Sequence, residues 1–514
     1  MQLGIDFGTT RTVVASADRG NYPILAFESP DGGHYEWFPS LAAVRGDERC
    51  YGWEAWERQQ DPEWTIIRSI KRVLEEAGPH TAIEVDGSTV PLMQLLYEMA
   101  ARLRSCLPAG QLSTMLGVPA NANSNQRFLT AEMFRMAGFD VIGLLNEPSA
   151  ASIEYGHRNR TEGSILVYDF GGGTFDVSLV EIGEKAHRVI ATESIPTLGG
   201  DDFDLALAEL AVDDQLRNEL TQGELFRLHE ECRVRKEAIH PNTRKLVLDL
   251  DNVREGMGAV SVSIADFYER CRPMLDETVR VVEDMLSGHP VELDTLYVTG
   301  GGSELPLVNR VLKESFGRRV RRSMHARSAT AIGLAIQADS AAGYVLSERF
   351  TRNFGVWREG DGGRRVIFDP LFAKGTPLAA PGEKPIEIRR SYKPVHNIGD
   401  FRYLECSHLD EDGQPTGDVT IWDEIRFPFD PALHSMNGGI AAAQVLHSPI
   451  APSQMIEELY TCDASGTVTV TITNLTSGYV RNYRLGRWAA KAATITPVKR
   501  RRTKAPTSKK ASAE

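Results

Sequence analysis

The chain has 514 residues, of which 42% are hydrophobic and 25% charged, which is ordinary for a globular protein and leaves room for several domains. Its net charge of −13 argues against a general nucleic-acid partner, and no window approaches the roughly 20 apolar residues that a membrane-spanning helix needs. Six cysteines stand apart without a CxxC pair, so neither a zinc site nor a disulfide framework is indicated and a cytoplasmic location is expected.

The first segment, GIDFGTTRT at residues 4–12, predicts a short strand that breaks into a turn at Gly8. Thr9 and Thr10 offer hydroxyls beside the free N–H groups of that turn, an arrangement typical of a phosphate cradle. Asp6, near the end of the strand, is a candidate ligand for a hydrated divalent cation. Taken alone, the segment favours an ordinary turn without a ligand. Met1 leads directly into the first predicted strand, so no signal peptide is expected.

Several further elements follow in chain order. Residues 114–156 predict a strand, a loop, a helix, a second strand and a second helix. Residues 164–182 predict a hairpin around three glycines and a threonine. Residues 203–287 have a mostly helical pattern. Residues 295–317 predict a strand that ends in three glycines before another helix, and residues 328–343 predict a helix of small residues.

The composition changes after about residue 352, where short alternating strands are separated by turns rich in glycine, proline and aspartate. This pattern predicts a sandwich or a barrel, with a domain boundary between residues 343 and 352. Residues 499–510 then carry seven positive charges and no large apolar residue. This composition predicts a disordered tail. A solvated tail is favoured over a tail that binds an acidic surface.

The glycine and threonine motifs occur in a recognisable order, because DFGGGTFD at residues 169–176 repeats the pattern of the N-terminal segment. Together the motifs resemble the actin-like ATPase superfamily and, within it, the seventy-kilodalton heat-shock (DnaK-type) chaperone family. The resemblance spans residues 1 to about 340. The motifs that carry it are GIDFGTT, SIKRVL, GVPA, NEPSAASIEYG, VYDFGGGTFDVSLVEI, LGGDDFD and TGGGSELP.

The resemblance implies an α/β, two-lobed, actin-like ATPase domain followed by an all-β sandwich. Residues 1–343 would form the nucleotide-binding ATPase domain, and residues 344–351 the interdomain linker. Residues 352–490 would form a β-sandwich that binds substrate or a partner, and residues 491–514 a basic disordered tail. The helical lid that normally follows the sandwich in the family is not expected here.

The resemblance also implies hydrolysis of ATP to ADP with Mg²⁺, and K⁺ is a further candidate ion. Asp6 and Asp169 would hold the hydrated Mg²⁺, and Lys71, placed within a predicted helix, would reach the terminal phosphate and position water. The other residues implied for catalysis are Glu147, Thr174 and Asp176, with Asp169 or Asp176 as proton acceptor. The residues implied for nucleotide contact are Gly8, Thr9, Thr10, Gly171, Gly172, Gly173, Gly199, Gly200, Asp201, Glu231, Arg235, Gly300, Gly301, Gly302 and Ser303.

Each of these residues has a simpler interpretation when it is considered alone. A lysine such as Lys71 in a charged helix is usually solvated, and Asn146 before a proline is typical of a helix cap. Asp202 and Asp204 are expected to cap the helix that follows them, and this role is favoured as much as direct contact with the phosphates. Phosphoryl transfer needs mainly positioning and electrostatic stabilisation, which one lysine and three or four carboxylates can supply. Only the whole set of motifs therefore favours the catalytic interpretation.

The residues expected to bind adenosine depart from the family pattern, which places a Glu, a Lys, an Arg and a Ser on one helix. Glu231 and Arg235 fit that pattern, whereas Val234 and Ala238 occupy the positions expected for the Lys and the Ser. Glu304 replaces the Arg that would stack on the base. Each lost hydrogen bond or stacking contact costs roughly 1 kcal/mol. We therefore expect weaker adenine binding than is usual in the family.

The expected partners are a client polypeptide and, through the resemblance, a J-domain protein or an exchange factor, with no nucleic acid or membrane. Pro119 and Arg127 match the family's switch residues. Gly143 replaces the basic residue that supports J-domain docking in the family, and the predicted linker has no Asp, so abnormal docking of a conventional J-domain protein is expected. The function expected is an ATP-driven, lidless, chaperone-like protein. The alternatives are a nucleotide-gated scaffold or regulator with one partner and a filament-forming actin relative.

Overall fold

The chain divides into two compact units, which are described separately. The first contains Met1–Ile386, Arg402–Asp423 and Cys462–Gly466, and the second contains the intervening segments and the described residues from Thr467 onward. The computed structural model describes residues 1–485 except 75, 79–80, 86, 160, 361–364, 380–382, 436–438 and 464–465. The predicted basic tail therefore lies outside the described residues. No helix among the described residues is long and apolar enough to cross a membrane.

The first large sheet is built around the N-terminal hairpin. Strands Gln2–Phe7 and Arg11–Ser16 pair in antiparallel fashion, and Ser113–Val118 joins Gln2–Phe7 in parallel. The outer strands are Asp140–Asn146, which runs parallel to its neighbour, and Phe38–Pro39. The carboxyl end of Gln2–Phe7 therefore leads straight into the turn at residues 8–10. This turn is the one that the sequence predicts as a phosphate cradle.

The second large sheet repeats this plan around another hairpin. Strands Gly163–Phe170 and Phe175–Ile182 pair in antiparallel fashion, and Thr295–Thr299 lies parallel to the first of them. Ala186–Ile195 extends the sheet on the other side. The short edge strands are Val320–Arg322 and Val345–Ser347. Both large sheets thus present a glycine turn at the end of a central hairpin.

The helices and smaller sheets surround these two sheets. The helices are Trp53–Glu57, Ile70–Val73, Leu92–Ser105, Ser124–Met136, Glu147–Asn159, Gly200–Ala211, Asp214–Glu219, Gln222–Glu237, Ile264–Gly288, Pro306–Phe316 and Ala329–Ala338. The smaller strands are Phe27–Glu28, His34–Tyr35, Ala42–Arg45, Glu48–Tyr51, Thr65–Ile67, Ala82–Val85, Ser88–Pro91, Lys245–Asp249 and Ala259–Ser263. Local signals fix several helix starts. For example, the Asn123 side chain accepts a hydrogen bond from the Gln126 N–H at 2.9 Å.

The last third of the described chain is rich in β-strands and contains two four-stranded sheets. The strands of one sheet are Arg365–Phe372, Asn353–Gly360, Ile398–Leu409 and Pro415–Pro428, in that spatial order. The strands of the other are Ile386–Tyr392, Ile456–Cys462, Val468–Asn474 and Tyr479–Arg484. The predicted mixed α/β region and the predicted β-rich region are both confirmed. The proposed domain limits at residues 343 and 352 stay a prediction.

Two local predictions agree with the structure but miss a detail. Lys71 lies within a helix, which is short and covers only Ile70–Val73. Residues 203–287 are mostly helical, but a hairpin of Lys245–Asp249 and Ala259–Ser263 interrupts them. Buried and exposed residues alternate in that hairpin, and the broad helical pattern conceals this two-residue period.

Small residues allow the helix Ala329–Ala338 to lie very close to its neighbours. A methyl group added at Gly333 would overlap the backbone carbonyl of Ala150 in the helix Glu147–Asn159. On the other side, a methyl group added at Gly4 would overlap the backbone near Ala335. This helix therefore holds the first sheet and the helix Glu147–Asn159 together.

We predict that Gly333→Ala lowers the free energy of unfolding by about 1–3 kcal/mol, because the added methyl group overpacks this contact. Urea unfolding measured by circular dichroism checks the prediction. Gly288→Ala is the matched control, because nothing lies within 4 Å of a methyl group added at that glycine. Equal stability of the Gly333→Ala variant and the control would contradict the prediction.

Candidate functional site

The turns of the two central hairpins meet at one point. Each turn closes with a backbone hydrogen bond, from the Gly8 N–H to the Arg11 carbonyl at 3.1 Å and from the Gly171 N–H to the Thr174 carbonyl at 2.9 Å. A methyl group added at Gly172 would lie 3.4 Å from the Thr10 hydroxyl oxygen. The predicted convergence of the two hairpins is therefore present, and backbone N–H groups and threonine hydroxyls lie side by side.

Two more glycine segments complete this region. The Gly200 N–H donates to the Gly171 carbonyl at 3.0 Å, and the Asp201 N–H donates to the Gly172 carbonyl at 2.8 Å. Gly300 has a φ of +85°, and an added methyl group would overlap Asp169. A glycine is required there both by its positive φ and by this close approach.

The turns enclose a cavity of about 240 Å³. Most of the residues predicted for catalysis or nucleotide contact line it. They are Asp6, Gly8, Thr9, Thr10, Lys71, Glu147, Asp169, Gly171, Gly172, Thr174, Gly200, Asp201, Gly300, Gly301 and Gly302. The predicted residues that do not line it are Gly173, Asp176, Gly199, Glu231, Arg235 and Ser303. Of these, Ser303 donates its hydroxyl to the Gly300 carbonyl at 2.6 Å within its own turn.

Lys71 lines the cavity and is buried, with 6% of its surface exposed. Its ammonium donates to Glu147 Oε1 at 2.5 Å. Burial lowers the pKa of Lys71, but the carboxylates of Glu147 and Asp6 outweigh burial and raise it. Because Lys71 is buried, it is not a solvated surface lysine. Its charge is stabilised by the acidic side chains around it.

Three aspartates lie near this lysine. Burial and the neighbouring Glu147 raise the pKa of Asp6 to about 7, although Lys71 opposes the shift. The same two causes raise the pKa of Asp176 to about 6. Burial, followed by the Glu147 and Asp176 carboxylates, raises the pKa of Asp169 well above its ordinary value. Lys71 thus does not fully compensate the acidic groups.

This donor set fits a hydrated magnesium ion. Among the described residues, no group of three or more His, Cys, Asp or Glu side chains is arranged to hold a metal by itself. Mg²⁺ does not require such a group, because it usually keeps several waters and takes only one or two carboxylates together with phosphate oxygens. The half-buried Asp6 and the buried Asp169 supply two carboxylates at the cavity, and a bound cation would favour the ionised form of both.

Charged side chains from the helix Gln222–Glu237 form another part of the cavity lining. Arg233, Lys236 and Glu237 line the cavity, whereas the predicted Glu231 and Arg235 do not. The reason is helical geometry, since residues three and four apart share a face and 231 and 235 lie on a different one. Glu231 instead accepts hydrogen bonds from Arg235 at 2.6 Å and from the Asp249 N–H at 2.8 Å.

An ion network joins this helix to the first hairpin and to the third glycine turn. Glu237 pairs with Arg11 at 2.6 Å, with Arg233 at 3.4 Å and with Arg327 at 3.5 Å. Arg327 also pairs with Glu304 at 2.5 Å. Sequence analysis missed all of these cavity residues except Glu304. The spacing of 233, 236 and 237 on one helical face was the available signal.

Local contacts decide the predicted roles of several other charged and polar residues. Asp202 accepts a hydrogen bond from the Gly199 N–H at 2.7 Å and so caps its helix as predicted. Asp204 does not cap this helix, because it is buried and pairs with Lys236 at 2.7 Å. Asn146 accepts a hydrogen bond from Arg127 and donates one to Glu348 at 2.8 Å. Glu348 thus provides a carboxylate in the predicted linker, which has no Asp.

The comparisons with known proteins agree with this arrangement. Residues 92–350, just over half of the chain, match the family model described as Hsp70 protein. The chain is 30% identical over 377 residues to the chaperone protein HscA homolog of Laribacter hongkongensis, an alignment that covers 67% of this chain and 59% of the relative. The chain is 31% identical over 370 residues to chaperone protein HscA of Edwardsiella ictaluri, an alignment that covers 67% of this chain and 58% of the relative.

Chaperone protein DnaK of Deinococcus deserti is 29% identical over 393 residues, with 67% of this chain and 61% of the relative covered. The chain belongs to the Hsp70 family, as the sequence motifs predict. The alignments with these three relatives span 58–61% of the relatives' own length.

The ion network predicts a specific response to acid. Burial opposes ionisation of Glu237, but Arg11 and Arg233 outweigh it and lower the pKa of Glu237 from 4.5 to about 2. A carboxylate with a lowered pKa stabilises the folded state above its unfolded pKa, and this contribution is lost as the pH falls from about 4.5 to about 2. We predict that Glu237→Gln is less stable than the wild type at pH 7, by about 1–3 kcal/mol.

The difference should shrink steadily as the pH is lowered through this range. Urea unfolding at a series of pH values measures it, and Glu269→Gln on an exposed face of the helix Ile264–Gly288 is the control. A stability difference that is independent of pH would show that the network does not depend on the charge of Glu237.

Proposed function

We propose that this protein is a nucleotide-driven chaperone of the Hsp70 type, which hydrolyses ATP in the cavity between two actin-like lobes and binds polypeptide segments through its β-rich region. One observation carries the proposal. A buried lysine lies among several carboxylates at the point where two glycine and threonine turns meet. Such a site suits a polyphosphate with a cation, because both the donors and the acidic groups are already in place.

The phosphate end of the cavity can hold and activate a triphosphate with little covalent chemistry. The N–H group of Gly172 and the hydroxyls of Thr9, Thr10 and Thr174 bind phosphate oxygens. Asp6 and Asp169 hold the hydrated Mg²⁺, which neutralises developing negative charge when it is bound. These assignments follow from the cavity lining and from membership of the family.

Lys71 and two carboxylates act in the hydrolysis of the terminal phosphate. Lys71 places its ammonium next to the terminal phosphate, and Glu147, which holds that ammonium at 2.5 Å, orients the attacking water. Asp176 accepts a hydrogen bond from the Ala120 N–H at 3.0 Å and does not line the cavity. Asp169, which does line it, is therefore the better candidate for the proton acceptor.

Contacts within the first unit support coupling between the cavity and the β-rich strands. Glu405 accepts hydrogen bonds from the backbone and the hydroxyl of Ser124 at 2.6 and 2.9 Å, at the start of the helix Ser124–Met136. In the predicted linker, strand Val345–Ser347 pairs in parallel with Ala186–Arg188 of the second sheet. These contacts join the helix Ser124–Met136 to a β-rich strand and the predicted linker to the second sheet, and they are the contacts proposed to carry the coupling.

We predict that Lys71→Ala lowers ATP turnover by about 100-fold or more while nucleotide binding persists, because the lysine acts on the transition state more than on the bound ground state. Single-turnover hydrolysis and calorimetric titration measure the two quantities separately. Lys245→Ala, at an exposed position of the same chain, is the matched control. Wild-type turnover in the Lys71→Ala variant would remove Lys71 from the mechanism.

We predict that ATP accelerates release of a bound apolar peptide by about tenfold relative to ADP, which lies within the usual range of coupling between two sites. Release of a fluorescent peptide from the full chain measures this effect, and the Lys71→Ala variant separates binding of ATP from its hydrolysis. Equal release rates would favour a nucleotide-gated scaffold or regulator, and sedimentation of polymers with ATP would favour a filament-forming relative.

Several finer expectations stay predictions. A J-domain protein and an exchange factor are the partners proposed, and stimulation of ATP hydrolysis by a generic J-domain protein would show that docking survives Gly143. The cytoplasmic location, the β-sandwich without a lid and the use of K⁺ also stay predictions. Titration of the ATPase rate with K⁺ against Na⁺ tests the last of these.

A further inference from the structure

The helix that carries Lys71 begins at a serine with a strained backbone. Ser69 precedes the helix Ile70–Val73 and has a φ of +54° and a ψ of +33°, in the left-handed region. Among the described residues other than glycine, only Arg19 shares a positive φ. A serine at this position normally accepts a hydrogen bond from the helix backbone, but the Ser69 side chain makes no such cap. Strain of this kind persists only where surrounding contacts hold it, and it is concentrated at functional sites.

The Ser69 hydroxyl binds a carboxylate from a distant part of the chain. It donates to Asp201 Oδ2 at 2.7 Å, a contact between residues 132 positions apart. Arg68 Nη2 donates to the other oxygen of the same carboxylate at 3.4 Å. Both oxygens of Asp201 are therefore engaged by the segment that leads into the helix, and this carboxylate holds the start of the helix in place.

The backbone of Asp201 makes a second contact, to the turn of the second central hairpin. Its N–H donates to the Gly172 carbonyl at 2.8 Å. Asp201 thus contacts that turn through its backbone and Ser69 through its side chain. Lys71 follows Ser69 by two residues, so two hydrogen bonds and two steps along the chain connect the turn to the lysine.

A similar contact is made on the other side of the lysine. Arg72 donates through Nη2 to the Gly173 carbonyl and to Asp202 Oδ2, both at 2.9 Å. A helix of four residues has almost no stability of its own, because forming the first turn is unfavourable. The position of Lys71 therefore depends on these contacts more than on helix propensity.

We propose that Ser69 is a positioning residue for ATP hydrolysis, which acts through Asp201 to fix Lys71 relative to the turn Gly171–Thr174. The proposal rests on the proposed function, since it assumes that Lys71 acts on a bound triphosphate. Ser69 does not line the cavity, so its effect on the reaction passes through other residues. A displacement of about 1 Å can lower a rate by about 100-fold, whereas the glycine and threonine groups assigned to phosphate binding stay in place.

The first experiment replaces Ser69 in the full chain with two residues that differ in backbone freedom. Ser69→Ala and Ser69→Gly both remove the hydroxyl, but only glycine adopts a positive φ without strain. We expect both variants to lower the single-turnover rate of ATP hydrolysis by about tenfold, while the dissociation constant of ATP, measured by calorimetry, stays unchanged. Ser261→Ala, at an exposed position of the strand Ala259–Ser263, is the matched control.

The outcomes separate this proposal from the proposed function. A wild-type rate in Ser69→Gly would show that backbone conformation alone positions the lysine, which overturns the proposal. A parallel loss of rate and affinity would assign Ser69 a purely structural role and would also overturn it. If Ser69→Ala does not fold, Ser69→Gly decides alone, because it relieves the strain. Failure of the wild-type chain to bind or hydrolyse ATP overturns the proposed function instead.

The second experiment tests whether Ser69 acts through Asp201. The rate of hydrolysis at saturating ATP is compared among the wild type, Ser69→Ala, Asp201→Ala and the double variant. We expect Ser69→Ala to lower the rate by about tenfold in the wild-type chain and by less than about twofold in the Asp201→Ala chain, where the contact is already absent. Equal effects in the two chains would show that the residues act independently and would overturn the proposal.

Discussion

The buried contact between the Lys71 ammonium and the Glu147 carboxylate is the interaction on which the site depends. A buried charge is tolerated only when it is paired, so this contact fixes the short helix Ile70–Val73 against the start of the helix Glu147–Asn159. It still leaves Asp6 and Asp169 with raised pKa values. The fold therefore retains acidic groups that would be costly without a role, which is typical of a functional site.

Two parts of the cavity lining are built on different physical principles. Where the two glycine turns meet, the missing side chains of the glycines allow the turns to touch, so the lining depends on chain geometry. Around Glu237, the lining consists of long charged side chains that reach from three separate elements, so its charge depends on side-chain identity.

Much of the fold could be predicted from the sequence because its signals are local. Apolar runs that flank glycine turns indicate the hairpins at Gly8–Thr10 and Gly171–Thr174. Asn123 caps the helix that begins after it. The hairpin at residues 245–263 was missed because its alternation lies within a mostly helical stretch. Glu231 and Arg235 were placed in the site because residue types matched, although helical phase directs residues 233, 236 and 237 there.

The sequence by itself determined which segments turn, which residues can contact phosphate and which family the chain belongs to, because those properties depend on residues close together in the chain. Only the tertiary structure decided that Lys71 is buried, that Arg11 meets Glu237 across 226 positions and that Arg327 lies between two glutamates. Such contacts depend on how distant elements pack, and the charge of a side chain does not reveal its partner until that packing is known.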